Sequence, residues 1–97
     1  MKIVVISDSH GNISNLKLAV GFAKKILADA IIHCGDWDNL KSVEEVLLSN
    51  IPLYSVLGNA DIFSEVKDLL ERKAKKFDEK FLNISLGGRK IGIVSVN

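Results

Sequence analysis

The sequence predicts an α/β domain in which strands and helices alternate in the order β-α-β-α-β-α-β-β. Short apolar runs that end in polar turn residues indicate strands, and amphipathic stretches with helical spacing lie between them. Two further strand-like runs flank a Gly-Gly pair near the end of the chain. Because helical crossovers join parallel strands, we expect the first half to form a parallel sheet within a single domain spanning residues 1–97.

The predicted strands of the parallel sheet are short and rich in β-branched residues, and they cover residues 2–7, 30–34 and 52–57. Pro52 falls at the start of the third strand, where a missing N–H group is tolerated. The last two predicted strands cover residues 81–86 and 89–96. The two glycines between them suit the positive φ angles of a tight hairpin.

Helical periodicity predicts helices over residues 14–28, about 40–49 and about 63–75. Asn12 or Ser14 can cap the first helix. Its expected buried face consists of Leu16, Ala19, Val20, Ala23, Ile26 and Leu27.

Composition argues against several classes of partner and compartment. The net charge of +1 gives no electrostatic reason to expect nucleic acid or an anionic membrane as a partner. The lone cysteine, Cys34, excludes an intrachain disulfide and favours a reducing compartment. The apolar run after Lys2 ends at Ile6, which is too short for a signal-peptide core or a membrane span. We therefore expect a cytoplasmic protein.

Polar side chains follow each of the first three predicted strands. Asp8 and His10 follow the first strand, Asp36 follows the second and Asn59 follows the third. In open α/β sheets, ligands bind in the crevice outside the carboxyl ends of the strands. Turn formation alone explains the glycines and asparagines. It explains less well why acids crowd at neighbouring strand ends, since they would repel unless a cation lies between them.

The strings SDSHGN, HCGDWDN and GNAD resemble the first three motifs of the calcineurin-like metallophosphoesterases, in particular their small bacterial and archaeal phosphodiesterases. The resemblance covers essentially the whole chain and implies the amino-terminal part of an αββα sandwich. It implies that Asp8 and His10 bind one metal ion, that Asp36 bridges two, and that Asn59 binds the second.

The same resemblance implies hydrolysis of a phosphate ester by a metal-bridging hydroxide. The resemblance implies two divalent ions, and the mixed oxygen and nitrogen donors favour Mn, Fe, Ni or Zn. His33 lies inside the second strand, where we expect it to orient a ligand loop rather than to bind metal.

The chain departs from the family pattern because the later histidine motifs are absent before its last residue, Asn97. The second metal then has only Asp36 and Asn59, so we expect one ion to bind better than the other. Ala60 stands where many relatives carry a proton-donating histidine. Asp61 is a candidate acid, with a turn or helix cap as the alternative.

Three interpretations remain open at the level of sequence. The chain is a phosphoesterase scaffold, a non-catalytic remnant that binds metal or phosphate, or a truncated fragment that needs ligands from another chain. The last strand would leave a free sheet edge, and natural proteins usually cover such edges. We therefore expect a homo-oligomer that associates through this strand.

Overall fold

The structure of the protein is a computed structural model that describes residues 1–7, 9–58 and 64–95. It contains three helices and six strands within these ranges. In chain order they are β1 (Ile3–Ile6), α1 (Ile13–Lys25), β2 (Ala30–His33), α2 (Leu40–Leu47), β3 (Leu53–Val56), α3 (Ser64–Lys73), β4 (Lys76–Asp78), β5 (Phe81–Leu86) and β6 (Arg89–Val94).

The first four strands form a parallel sheet in the order β1-β2-β3-β4, and β5 and β6 form a separate antiparallel hairpin. The helices and the hairpin cover opposite faces of the parallel sheet, because successive side chains of a strand point to opposite sides. In β3, Leu53 packs in the core with the helices, whereas its neighbour Tyr54 packs in the core with the hairpin. The molecule therefore has three layers, which confirms the predicted α/β class.

The helix-side core unites residues of all three helices with the sheet, namely Leu16, Val20, Ala23, Ile31, Trp37, Val43, Val46, Leu53, Val66 and Leu70. The hairpin-side core is smaller and consists of Ala30, Ile32, Tyr54, Val56, Leu82, Ile84 and Ile93. No helix in the described part of the chain is long and apolar enough to cross a bilayer.

Two details differ from the sequence prediction. The short strand β4 was not predicted, because its sequence Lys-Phe-Asp offers one apolar residue between two charged ones. Leu27 is 80% exposed instead of buried, because α1 ends at Lys25 and Leu27 turns the chain with φ at 57°. Asn12, one of the two predicted caps, does cap α1, since its side chain accepts a hydrogen bond from the Asn15 amide.

Candidate metal centre

The carboxyl ends of the first three strands lie side by side at one edge of the parallel sheet. Ile6 pairs with His33 in the register, and His33 pairs with Ser55. The loops that follow these strands therefore leave the sheet at the same level. This is the position at which open α/β sheets bind their ligands.

Hydrogen bonds join the first of these loops to the second. The His10 amide donates to the Asp36 carbonyl oxygen at 3.1 Å, and the Ser9 hydroxyl donates to the same oxygen at 3.4 Å. The Cys34 amide extends the strand pairing by donating to the Ile6 carbonyl at 3.0 Å. The Asp36 carbonyl thus accepts both contacts from the loop that contains His10.

A hydrogen bond and close backbone packing join the second loop to the described start of the third. The Asp36 amide donates to the Leu57 carbonyl at 3.2 Å. A Cβ atom on Gly58 would lie 2.7 Å from the Asp36 nitrogen and 2.9 Å from its carboxylate oxygen Oδ1. A Cβ atom on Gly35 would lie 2.9 Å from the Gly58 nitrogen. Glycine at both positions is what allows the Asp36 carboxylate to lie against the third loop.

His33 supports these loops from below and is fully buried. The Gly35 amide lies 3.0 Å from His33 Nδ1, and because an amide can only donate, Nδ1 is the acceptor. The proton of the neutral ring is therefore on Nε2, which lies 3.1 Å from the Ser9 hydroxyl oxygen. The Ser9 hydroxyl oxygen accepts this hydrogen bond, and its O–H group donates to the Asp36 carbonyl oxygen. One chain of hydrogen bonds thus connects His33, Ser9 and the main chain of Asp36.

The protonation state of His33 matches this arrangement. Burial lowers the pKa of His33 from 6.5 to about 3, and the nearby Asp36 carboxylate only partly opposes this shift. His33 is therefore neutral at neutral pH, as its acceptor role at Nδ1 requires.

Trp37 completes the support by stacking on His33, with ring centroids 3.5 Å apart and an interplanar angle of 13°. Its indole N–H donates to the Ser55 hydroxyl at 3.0 Å, and Ser55 in turn donates to the Val56 carbonyl at 2.8 Å. Sequence reasoning did not identify these partners. The sequence signal for this stack was the placement of His33 and Trp37, four residues apart, on either side of the Gly35-Asp36 turn.

On the solvent side, His10 and Asp38 face each other. His10 Nδ1 lies 3.7 Å from Asp38 Oδ2, and the His10 side chain is 59% exposed. Sequence reasoning overlooked this partner of His10. Asn39, not Asp38, caps α2, because its side-chain oxygen accepts from the Ser42 amide at 2.9 Å. His10, Asp36 and Asp38 all adopt positive φ angles, of 46°, 61° and 70°.

Of the four predicted metal ligands, the structure brings His10 and Asp36 together at the sheet edge. Asp8, Asn59 and the candidate acid Asp61 lie outside the described residues. Within the described ranges, no group of three or more His, Cys, Asp or Glu side chains is placed to hold a metal ion. The Asp36 carboxylate and the accessible His10 imidazole are oxygen and nitrogen donors of the kind that borderline divalent cations bind, so the donor chemistry of the described residues suits such an ion.

The fold and this sheet edge together define an α/β protein with a candidate ligand site at the strand ends. The model of the calcineurin-like phosphoesterase superfamily domain matches residues 1–96, and the chain belongs to that superfamily.

Both the curated proteins and the solved structures include an archaeal phosphodiesterase that is similar to this chain. Phosphodiesterase MJ0936 of Methanocaldococcus jannaschii is 31% identical over 61 residues, which are 63% of this chain and 37% of that protein. The solved structure of a novel archaeal phosphodiesterase superposes with a TM-score of 0.86 at 25% identity, over 97% of this chain and 58% of the other. Protein AQ665 of Aquifex aeolicus, of unknown function, shares the fold at 20% identity with a TM-score of 0.58, over 93% of this chain and 57% of its own. The chain therefore spans little more than half the length of these solved relatives.

The glycine contacts predict a graded series of stabilities. Gly58→Ala combines a positive φ of 82° with a backbone clash at Asp36, so we expect it to lower the free energy of unfolding by about 2 kcal/mol or more. Gly88→Ala has a similar φ of 78° but open space, and should lose about 1 kcal/mol. Gly21→Ala, in α1 with open space, should gain about 0.5–1 kcal/mol. Urea denaturation measures all three, and equal losses for Gly58 and Gly88 would contradict the close packing at Asp36.

The burial of His33 predicts a pH dependence of stability. The folded pKa of about 3 lies below the unfolded value of 6.5, so the stabilising effect is complete above pH 6.5 and declines as the pH falls towards 3. By pH 5 the loss from this residue should reach about 2 kcal/mol. Long-range 1H–15N spectra of the ring should show the neutral Nε2–H form at pH 5, and an imidazolium His33 at that pH would contradict the assignment.

Proposed function

We propose that the chain provides the metal-binding half of a metal-dependent phosphoesterase that acts on a phosphodiester, with Asp8, His10, Asp36 and Asn59 as metal ligands. One observation carries the proposal. The Asp36 carboxylate is only 2% exposed, at the point where the three strand-end loops bond to one another. An acid held in this way, beside the loop that contains His10, is an oxygen donor of the kind that divalent cations bind.

The ions expected at this site are divalent Mn, Fe, Ni or Zn. When bound, they polarise a phosphate ester and lower the pKa of a coordinated water molecule. His10 and Asp36 are the ligands in the described part of the chain, and Asp8 and Asn59 complete the set through their positions in the family motifs. With Asp36 and Asn59 alone for a second ion, we expect one ion to bind tightly and the second weakly.

The residues behind the ligands have positioning roles in this proposal. Asp38 lies on the Nδ1 side of His10 and favours the tautomer with its proton there, which leaves the Nε2 lone pair for a metal. His33 holds the first loop through Ser9. Asp61 remains the candidate acid for the leaving group, and an unchanged rate in Asp61→Asn would remove it from this role.

Metal binding and hydrolysis of a chromogenic phosphodiester with Mn²⁺ or Ni²⁺ test the proposal. We expect Asp36→Asn to weaken Mn²⁺ binding at least tenfold and to abolish turnover, because it removes the charge of the buried ligand. His10→Ala should weaken binding similarly, and its exposed side chain makes loss of folding an unlikely explanation. Asp68→Asn, an identical substitution on the exposed surface of α3, is the matched control.

Retained metal affinity in both ligand variants would overturn the proposal. Tight, Asp36-dependent metal binding without turnover would instead favour the second candidate function, a metal-binding scaffold that becomes active only with ligands from another chain.

We also propose that the chain self-associates through β6. The compartment we propose is the cytoplasm, because a lone cysteine favours a reducing environment. Among the strands that the structure describes, β6 pairs only with β5 and leaves its other edge open. Val94, near the end of this strand, is 50% exposed. Pairing of this edge with a second copy would satisfy its backbone groups and cover apolar surface.

Sedimentation analysis tests the association. The parent chain should form dimers or larger oligomers at high concentration, and Val94→Lys should shift it to monomer because a lysine opposes edge pairing. Leu18→Lys places the same charge on an exposed apolar residue of α1 and should leave the oligomer intact. A strictly monomeric parent chain would refute self-association.

A further inference from the structure

A second polar site lies away from the metal centre, where β3 and β4 meet the hairpin. It is a cleft of about 560 Å³ whose polar lining consists of Tyr54, Lys75, Lys76, Asn83, Ser85 and Lys90. This volume falls within the usual range for small-molecule sites. We refer to it as the lysine cleft.

The lysine cleft is near the amino ends of the strands. Tyr54 is the second residue of β3, and the Lys75 amide donates to the carbonyl of Leu53, the first residue, at 2.7 Å. Gly58, at the metal centre, is four residues beyond Tyr54, which corresponds to about 13 Å along an extended strand. The cleft is therefore separate from the strand-end site.

Register places the central groups of the cleft on one face. Tyr54 pairs with Lys76, so both side chains leave the sheet on the same side. Tyr54 packs in the hairpin-side core, and Phe77, the neighbour of Lys76, packs in the helix-side core. Lys76 is therefore directed towards the hairpin, which contributes Lys90.

The charges that line the cleft all have the same sign. Its three ionisable lining residues are lysines, and no carboxylate is among the lining residues that the structure describes. Three lysines that line one cleft raise the local positive potential, although the whole chain has a net charge of only +1. The chain thus concentrates positive charge where net charge gave no indication of it.

Tyr54 supplies a second and independent sign of a ligand. It is 9% exposed, and in the part of the chain that the structure describes its hydroxyl has no hydrogen-bond partner. Buried polar groups are nearly always paired with protein, water or ligand. Since the Tyr54 side chain lines the lysine cleft, an acceptor bound there would satisfy this hydroxyl.

We infer that the lysine cleft binds a small soluble anion with at least two negative charges, of the phosphate monoester or pyrophosphate type. The lysine ammonium groups and the Tyr54 hydroxyl are donors, and phosphate oxygens are acceptors that form strong charge-assisted hydrogen bonds with such groups. Asn83 and Ser85 add neutral donors on the hairpin side. This site requires no metal ion.

Titration with pyrophosphate, followed by 1H–15N spectra at constant ionic strength with a chelator present, tests the inference. The chelator removes divalent cations, so that the strand-end site cannot hold the anion through a metal. We expect saturable shifts at the amides of Tyr54, Lys75, Lys76, Ser85 and Lys90. Lys76→Gln and Lys90→Gln should each weaken binding about threefold to tenfold, as expected for one charge near a protein surface.

Tyr54→Phe keeps the ring in the core and removes only the hydroxyl, so we expect a smaller loss, of about twofold to threefold. Lys24→Gln, on the exposed surface of α1, is the matched control and should leave the affinity unchanged. Shifts distributed over all surface lysines would overturn the inference. So would an unchanged affinity in the Lys76→Gln/Lys90→Gln double variant.

Discussion

The central constraint in this structure is the main chain of Asp36, which is hydrogen-bonded to the loops on both sides. Its amide donates to Leu57, and its carbonyl accepts from the His10 amide and the Ser9 hydroxyl. With φ at 61°, the residue leaves the regular strand conformation and turns its carboxylate against Gly58. The amide and the carbonyl of Asp36 are thus both hydrogen-bonded, and the residue itself is almost fully buried. Every other feature of the strand-end site is arranged around this fixed acid.

A rigid layer beneath the acid explains how the loops keep this arrangement. The stacked rings of His33 and Trp37 fill the space under the second loop. The two His33 nitrogens bond the Ser9 hydroxyl and the Gly35 amide, and the Trp37 indole N–H donates to the Ser55 hydroxyl. Burial keeps the pKa of His33 near 3, so proton uptake near neutral pH does not disturb these roles. Hydrogen-bonded groups behind metal ligands commonly set their orientation. The same layer therefore accounts for the stability of the loops, and it would also orient the proposed ligands.

Periodicity and turn chemistry were sufficient to predict the alternating strands and helices and the parallel sheet, because the buried strands are short apolar runs and the turns contain glycine. The layered sandwich was implied only by the family resemblance. The sequence did not indicate β4, whose pairing depends on a neighbouring strand more than on its own residues. Leu27 was expected inside because helical spacing continues past Lys25, where the backbone actually turns. The motifs predicted His10 and Asp36 at one edge, but the link through Ser9 depends on three-dimensional contacts that spacing does not encode. The lysine cleft could not be predicted from spacing for the same reason, since Tyr54, Lys76 and Lys90 lie in three different strands.

The two ends of the sheet differ in how they can attract an anion. At the carboxyl ends, Asp36 and Asp38 present negative charge, so any anion meets repulsion there until a cation compensates these acids. At the lysine cleft the charge is already positive, so an anion needs no cation to bind. Removal of divalent ions should therefore affect the two sites in different ways, weakening anion binding at the first and leaving it intact at the second. A net charge of +1 conceals this separation, because it only reports that the 13 basic and 12 acidic residues of the whole chain nearly cancel.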